Sequence, residues 1–122
     1  MSINSSITVK CRDGKYRTIY SHWDGYPEHH MPILTGFYND QEMAEKLVRL
    51  GDLSILAESI ECPKGHSFDT PMEGYTVFYG RDRGEKKVGC KIRASYQGCL
   101  NVNERTYNYL WNGEEWSWRK KE

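Results

Sequence analysis

The sequence predicts an α+β fold, in which an antiparallel or mixed sheet of about five to six strands packs against one main helix. Aromatic and β-branched residues recur in short alternating runs beside turn residues, which favours strands joined as hairpins. One longer run instead has apolar residues at helical spacing, which predicts a helix. Strands and helices do not alternate regularly along the chain, so a purely parallel sheet is not indicated. With 122 residues, the chain fits a single domain over residues 1–122.

Three hairpin-like units make up the predicted sheet. The first is centred on Asp13-Gly14 and the last on Asn112-Gly113, because glycine tolerates the positive φ that tight hairpin turns require. A charged loop over residues 80–85 would separate the strands of the middle unit. The predicted strand pairs are 7–11 with 16–20, 74–79 with 86–94, and 107–111 with 116–119.

The main helix is predicted over residues 39–50. Asn39 is a candidate N-cap with Glu42 three residues later, and Gly51 supplies a C-terminal stop. A short helix is expected over residues 32–38, with Pro32 in its first turn. Residues 53–56 are expected to form a short irregular segment under the sheet.

Charge balance and cysteine usage narrow the class of protein. Lysine and arginine together number 17, as do aspartate and glutamate, so neither bulk nucleic-acid binding nor membrane binding is expected. The first residues lack a basic start followed by an apolar run, so we expect a cytoplasmic protein. The four cysteines are therefore interpreted as free thiols: Cys11, Cys62, Cys90 and Cys99.

Two loops carry the candidate binding residues. In residues 22–27, Trp23 and Tyr26 offer flat faces that stack on a base or sugar. In residues 80–85, two arginines between glycines offer planar donors that suit phosphate or carboxylate. The alternative is that Arg81 and Arg83 pair with nearby carboxylates and pin a turn. The candidate ligand- or partner-binding residues are His22, Trp23, Asp24, Tyr26, Arg81, Asp82, Arg83 and Glu85.

The sequence assigns no catalytic, metal or cofactor site. His22, His29, His30 and Asp24 lie close together in the chain, but their spacing is not that of a metal-binding motif. The cysteines include no Cys-x-x-Cys pair. No nucleophile elbow or phosphate-cradling loop is present either.

Four segments resemble a family of small, largely uncharacterised proteins carried by bacteriophages and prophages. They contain the motifs HxDGYP, LGDxSxL and YGRDRGE, followed by a closing aromatic hairpin, and they occur in the same order over most of the chain. The sequence departs from the family pattern at residues 29–32, and at residues 96–106, where a second helix would be expected. The resemblance implies a phage accessory protein that works in an infected bacterium.

Three functions remain open at this level. The protein could inhibit a host or anti-phage defence protein by direct contact, as a monomer or a homo-oligomer. It could instead act as a sponge that sequesters a nucleotide signal with Arg81, Arg83, Trp23 and Tyr26. A small hydrolase that uses His22 and Asp24 is the third hypothesis, and it would need a general base that the sequence does not single out.

Overall fold

The computed structural model describes residues 3–122, and within that range a mixed sheet of seven strands is combined with four helices. The predicted α+β character and the mixed sheet are confirmed, with more strands and more helices than expected. The strands are β1 (Ser5–Lys10), β2 (Tyr16–Ser21), β3 (Leu53–Ile55), β4 (Val77–Phe78), β5 (Lys91–Arg93), β6 (Tyr107–Trp111) and β7 (Trp116–Lys120). The helices are α1 (Pro27–Phe37), α2 (Gln41–Arg49), α3 (Tyr79–Arg83) and α4 (Tyr96–Asn103).

The strand order is β4-β3-β2-β1-β6-β7. On the same edge of β2, β5 pairs with residues 16–18 and β3 pairs at Ser21. The two hairpins β1–β2 and β6–β7 are confirmed, and β1 joins them by running parallel to β6. The middle hairpin is wrong, since β4 pairs with β3 and β5 pairs with β2. Residues 53–55 accordingly form a strand of the sheet rather than an irregular segment below it.

The prediction that residues 80–85 form a charged loop is wrong, because most of them belong to helix α3. The Asp82 carboxylate accepts the Phe78 N–H at 2.8 Å, which turns the chain into a helix directly after β4. Gly84 ends that helix in the left-handed conformation, with φ of 74°.

The two predicted helices begin at other residues than expected. Helix α1 starts five residues before Pro32, with Pro27 in its first turn, and Pro32 lies in its interior. The N-cap of α2 is Asp40 rather than Asn39, since its carboxylate accepts the Met43 N–H at 2.7 Å. Gly51 follows the helix with φ of 89°, as predicted.

Helix α4 lies within residues 96–106, where the sequence predicted no helix. Ser95 caps it by accepting the Gly98 N–H at 3.0 Å. The expectation that residues 96–106 contain no helix is therefore wrong.

Helices lie on both faces of the sheet. Ile7, Val9 and Ile19 point into an apolar core with α1 and α2. Thr18, on the opposite face, accepts a hydrogen bond from Asn103 of α4 at 3.0 Å. Because α4 has only eight residues, it covers part of that second face.

Candidate functional site

The loop that carries the candidate residues 22–26 continues the pairing of β2 with β3. The His22 N–H donates to the Leu53 carbonyl at 3.1 Å, and the Trp23 N–H donates to the Ser54 carbonyl at 3.0 Å. The backbone of both residues is thus fixed in position beside β3. The Trp23 side chain is nevertheless 39% exposed.

The next residues turn the chain tightly into α1. Asp24 has φ of 55°, and the Gly25 N–H donates to the Ile3 carbonyl at 2.7 Å. A Cβ atom at Gly25 would lie 2.7 Å from that same carbonyl oxygen, so the turn requires glycine. The Tyr109 hydroxyl donates to the Gly25 carbonyl at 2.6 Å, and Tyr26 serves as the N-cap residue of α1. The HxDGYP segment is therefore fixed from several sides.

Arg81 holds the long connection between β3 and β4. Its guanidinium donates to the carbonyl oxygens of Ile60 and Thr76, the latter at 3.2 Å. Its Nε also donates to the Asp82 carboxylate at 2.8 Å. The guanidinium N–H groups that the sequence suggested for binding phosphate are therefore used inside the protein, as in the alternative in which Arg81 pins a turn.

The Asp82 carboxylate is fully buried beneath Arg81. It accepts the Phe78 N–H at 2.8 Å and lies 3.5 Å from Nε2 of His66. Burial alone would raise the pKa of Asp82, but the bonds from Arg81 and Phe78 outweigh burial and lower it. Asp82 is therefore an ionised anchor inside the fold.

Arg83 and Glu85 are exposed, and their environments differ. The Arg83 guanidinium stacks over the Phe68 ring at 4.5 Å, and Phe68 in turn packs against Tyr79 with ring centroids 5.6 Å apart. The Glu85 N–H donates to the Tyr79 carbonyl at 3.1 Å. Arg81 also lies over a ring, that of Phe78 at 4.9 Å, but Phe78 is buried, so Arg83 is the exposed arginine of the two.

The two predicted loops are both linked to β3 and its neighbouring residues. Among residues 3–122, no hydrogen bond or ion pair joins residues 22–26 to residues 80–85. Ser21 and Leu53 pair on the core face, so His22 and Ser54 point to the opposite face. Both segments are held by the backbone at the start of β3: the Ser54 carbonyl accepts the Trp23 N–H at 3.0 Å, and the Asp52 carbonyl, just before β3, accepts the Tyr79 N–H at 3.2 Å.

Two aromatic clusters make up the candidate surface, one on the β2 side of β3 and one on the β4 side, and an arginine stacks on each of them. Arg105 lies over the Tyr20 ring at 4.6 Å, and the Tyr20 hydroxyl shares a hydrogen bond of 2.6 Å with Nδ1 of His22. The His22 ring meets Trp23 edge-on, with centroids 4.7 Å apart. We call this surface the aromatic face, and its residues are Tyr20, His22, Trp23, Phe68, Tyr79, Arg83 and Arg105.

Asp52 supplies a carboxylate beside the aromatic face. Its Oδ1 accepts the Tyr20 N–H at 2.9 Å. Burial raises the pKa of Asp52, while the Tyr20 N–H and the positive charges of Lys91 and Arg105 act in the opposite direction. Arg105 is itself fixed, since its Nε donates to the Asn103 side chain at 3.0 Å. The face thus presents preorganised cations and rings.

The sequence identified His22, Trp23 and Arg83 of this face but missed Tyr20, Phe68, Tyr79 and Arg105. A signal existed for Tyr20, because residues two apart on a strand share a face. The hydrolase hypothesis paired His22 with Asp24, whereas the partner of His22 Nδ1 is Tyr20.

The other two histidines of this region, half-buried His29 and buried His30, lie in the first turn of α1 and are paired with each other. Nε2 of His30 lies 3.0 Å from the Ser21 hydroxyl, and its Nδ1 lies 2.8 Å from Nδ1 of His29. His30 is completely buried, and burial lowers its pKa to about 3. Its neutral form is therefore built into the contact between α1 and the sheet.

Acidification is expected to destabilise the fold through His30. An unfolded histidine has a pKa of about 6.5, so the unfolded chain binds a proton below that pH while folded His30 does not. Between pH 7 and pH 5, this difference lowers the free energy of unfolding by about 2 kcal/mol. Urea titrations at both pH values, on the native chain and on His30→Phe, isolate the contribution. Equal losses in the two proteins would contradict it.

Comparison of the chain with protein-family models, with curated proteins and with solved structures found no match. In the described part of the chain, no group of three or more histidine, cysteine, aspartate or glutamate residues is placed to hold a metal ion. None of the helices in that part is both long and apolar enough to span a bilayer. All four cysteines have free thiols.

Proposed function

We propose that this protein acts by binding another protein through its aromatic face. The observation that carries the proposal is that the two aromatic clusters on either side of β3 each carry a stacked arginine beside a partly uncovered sheet face. Tryptophan, tyrosine and arginine are the residues that most often dominate binding energy in protein interfaces. Rings held by neighbours lose little conformational freedom on binding, which favours affinity.

The shape of the surface supports a protein partner over a small nucleotide. Small-molecule sites are usually concave. Two cavities, of about 410 and 330 Å³, are lined by none of the side chains Trp23, Tyr26, Arg81 and Arg83, and Arg105 is the one residue of the aromatic face that lines either of them. Arg81 is also occupied by backbone carbonyls and Asp82, which leaves Arg83 as the exposed cation of its segment. An aromatic surface with separated cations suits an extended protein contact.

The resemblance to phage proteins gives this proposal a biological setting. In that setting the protein inhibits a host or anti-phage defence protein in the bacterial cytoplasm by covering its surface. The aromatic face needs no catalytic group for such a role. Inhibition by contact is therefore the function that asks least of these residues.

Site-specific cross-linking tests the proposal in a bacterial lysate. A photoreactive benzoylphenylalanine replaces Trp23 in one protein and Trp118 in another, since both tryptophans are exposed, at 39% and 47%. We expect a discrete cross-linked protein from position 23 that is absent from position 118.

Cross-linking at position 118 alone would overturn the assignment of the aromatic face. A further measurement separates the nucleotide hypothesis from the protein one. Calorimetry against cyclic and linear nucleotides is expected to give no heat of binding, and saturable binding that is lost in Trp23→Ser would replace the protein partner with a nucleotide.

A further inference from the structure

A groove of about 330 Å³ lies beside α1 at the edge of the sheet formed by β3 and β4. Its apolar lining includes Ile55, Met72 and Val77. Two of these side chains are unusually open to solvent for their type, with Ile55 36% and Met72 41% exposed. Methionine is a flexible, polarizable side chain that adapts to different partners. The groove shares no residue with the aromatic face.

The charge of this groove has one sign. Glu58 and Glu73 are exposed side chains that contribute to its lining, and no lysine or arginine of residues 3–122 lines it. Neither glutamate forms an ion pair with any residue in that range. The remaining ionisable residues that line the groove are His29 and Tyr75, and the Nδ1 atom of His29 is hydrogen-bonded to His30. In a chain whose net charge is zero, the groove is a local acidic and apolar site.

We infer that this groove binds an extended peptide segment of a partner protein in which a lysine or arginine stands next to a large aliphatic residue. The aliphatic side chain fills the apolar part, where removal of its surface from water stabilises the complex. The cationic side chain lies beside the two unpaired carboxylates. The volume is at the small end of the range for ligand sites, which fits a few side chains rather than a folded element.

Amide NMR spectra test this inference with the full chain and short synthetic peptides. The probe is acetyl-Ser-Leu-Lys-Leu-Ser-amide, and the matched control has glutamate in place of lysine. We expect saturable shifts at residues 55–58 and 71–75 with the lysine peptide, with a dissociation constant on the order of 1–10 mM for so small a contact. The glutamate peptide is expected to leave these signals in place.

Paired charge-neutral variants test the role of the carboxylates. Glu58→Gln with Glu73→Gln is expected to weaken binding about fivefold, as two exposed charge contacts are lost. Glu114→Gln with Glu115→Gln, in the β6–β7 turn, is the control and is expected to change nothing. Equal binding of the two peptides, unchanged affinity in the first variant, or shifts confined to other segments would overturn the inference. Concentration-dependent shifts without peptide, with a dimer in sedimentation, would also overturn it by assigning the groove to a second copy of the chain.

Discussion

Replacing Asp82 with alanine is expected to lower the free energy of unfolding by about 3–5 kcal/mol, because it breaks a buried ion pair from one side. The variant leaves the Phe78 N–H without its acceptor and Arg81 without its carboxylate. His66 loses a neighbour at 3.5 Å in the same step. Urea unfolding followed by circular dichroism at pH 7 measures the change.

Asp69→Ala is the matched control for this prediction, since Asp69 is exposed and in the connection that Arg81 holds. Its expected effect is within about 0.5 kcal/mol of zero. If Asp82→Ala were as stable as the control, the Arg81–Asp82 pair would not stabilise the fold, and both side chains would again be candidates for ligand binding.

Replacing Trp116 with alanine is expected to cost about 3–5 kcal/mol, as large-to-small changes of buried aromatic residues do. Trp116 is 5% exposed, it packs against Trp111 with ring centroids 5.7 Å apart, and its Nε1 donates to the Tyr38 carbonyl at 3.0 Å. The variant therefore creates a cavity and leaves a buried carbonyl without this donor. Thermal or urea unfolding measures the loss.

Trp118, two residues further along β7, provides the comparison. It is 47% exposed and touches Tyr107 edge-on. Trp118→Ala is expected to cost no more than about 1 kcal/mol. A Trp116 variant no less stable than the Trp118 variant would show that the hairpin packs against the core differently.

The hairpins could be predicted from the sequence because their determinants are local. Alternation sets which residues face the core, and Gly14 and Gly113 adopt the positive φ that their turns demand, at 84° and 103°. The core positions Val9, Tyr109 and Trp111 follow from the same alternation.

The segment around Arg81 could not be predicted in this way. Its conformation depends on carbonyls of Ile60 and Thr76 that lie 21 and five residues away in sequence. A glycine-bounded charged stretch is typical of a loop, and these contacts, together with the bond from the Phe78 N–H to Asp82, hold it as a helical turn. The partner of β5 could not be predicted for a related reason, since its pairing with β2 joins residues far apart in the sequence.

The aromatic face shows the same division between local and distant determinants. His22 and Trp23 stood out because tryptophan in a glycine- and proline-containing loop requires cover or a partner. Tyr79 and Arg105 come from separate parts of the chain, and they join the face through the Asp52 carbonyl and the Tyr20 ring, respectively. Sequence proximity therefore found one half of the surface, and the sheet supplied the other.

The central claim, that the aromatic face binds a protein partner, is tested most directly by comparing two double variants against the purified cross-linked partner. Trp23→Ser with Arg105→Gln removes one ring and one cation from the aromatic face, and Trp118→Ser with Lys120→Gln removes the same pair from β7. Calorimetric titration is expected to show the dissociation constant raised at least about 30-fold by the first pair, which corresponds to about 2 kcal/mol, and changed less than about threefold by the second. Thermal melts establish that both variants are folded. Equal affinities for the two variants, or a larger loss in the β7 variant, would contradict the account.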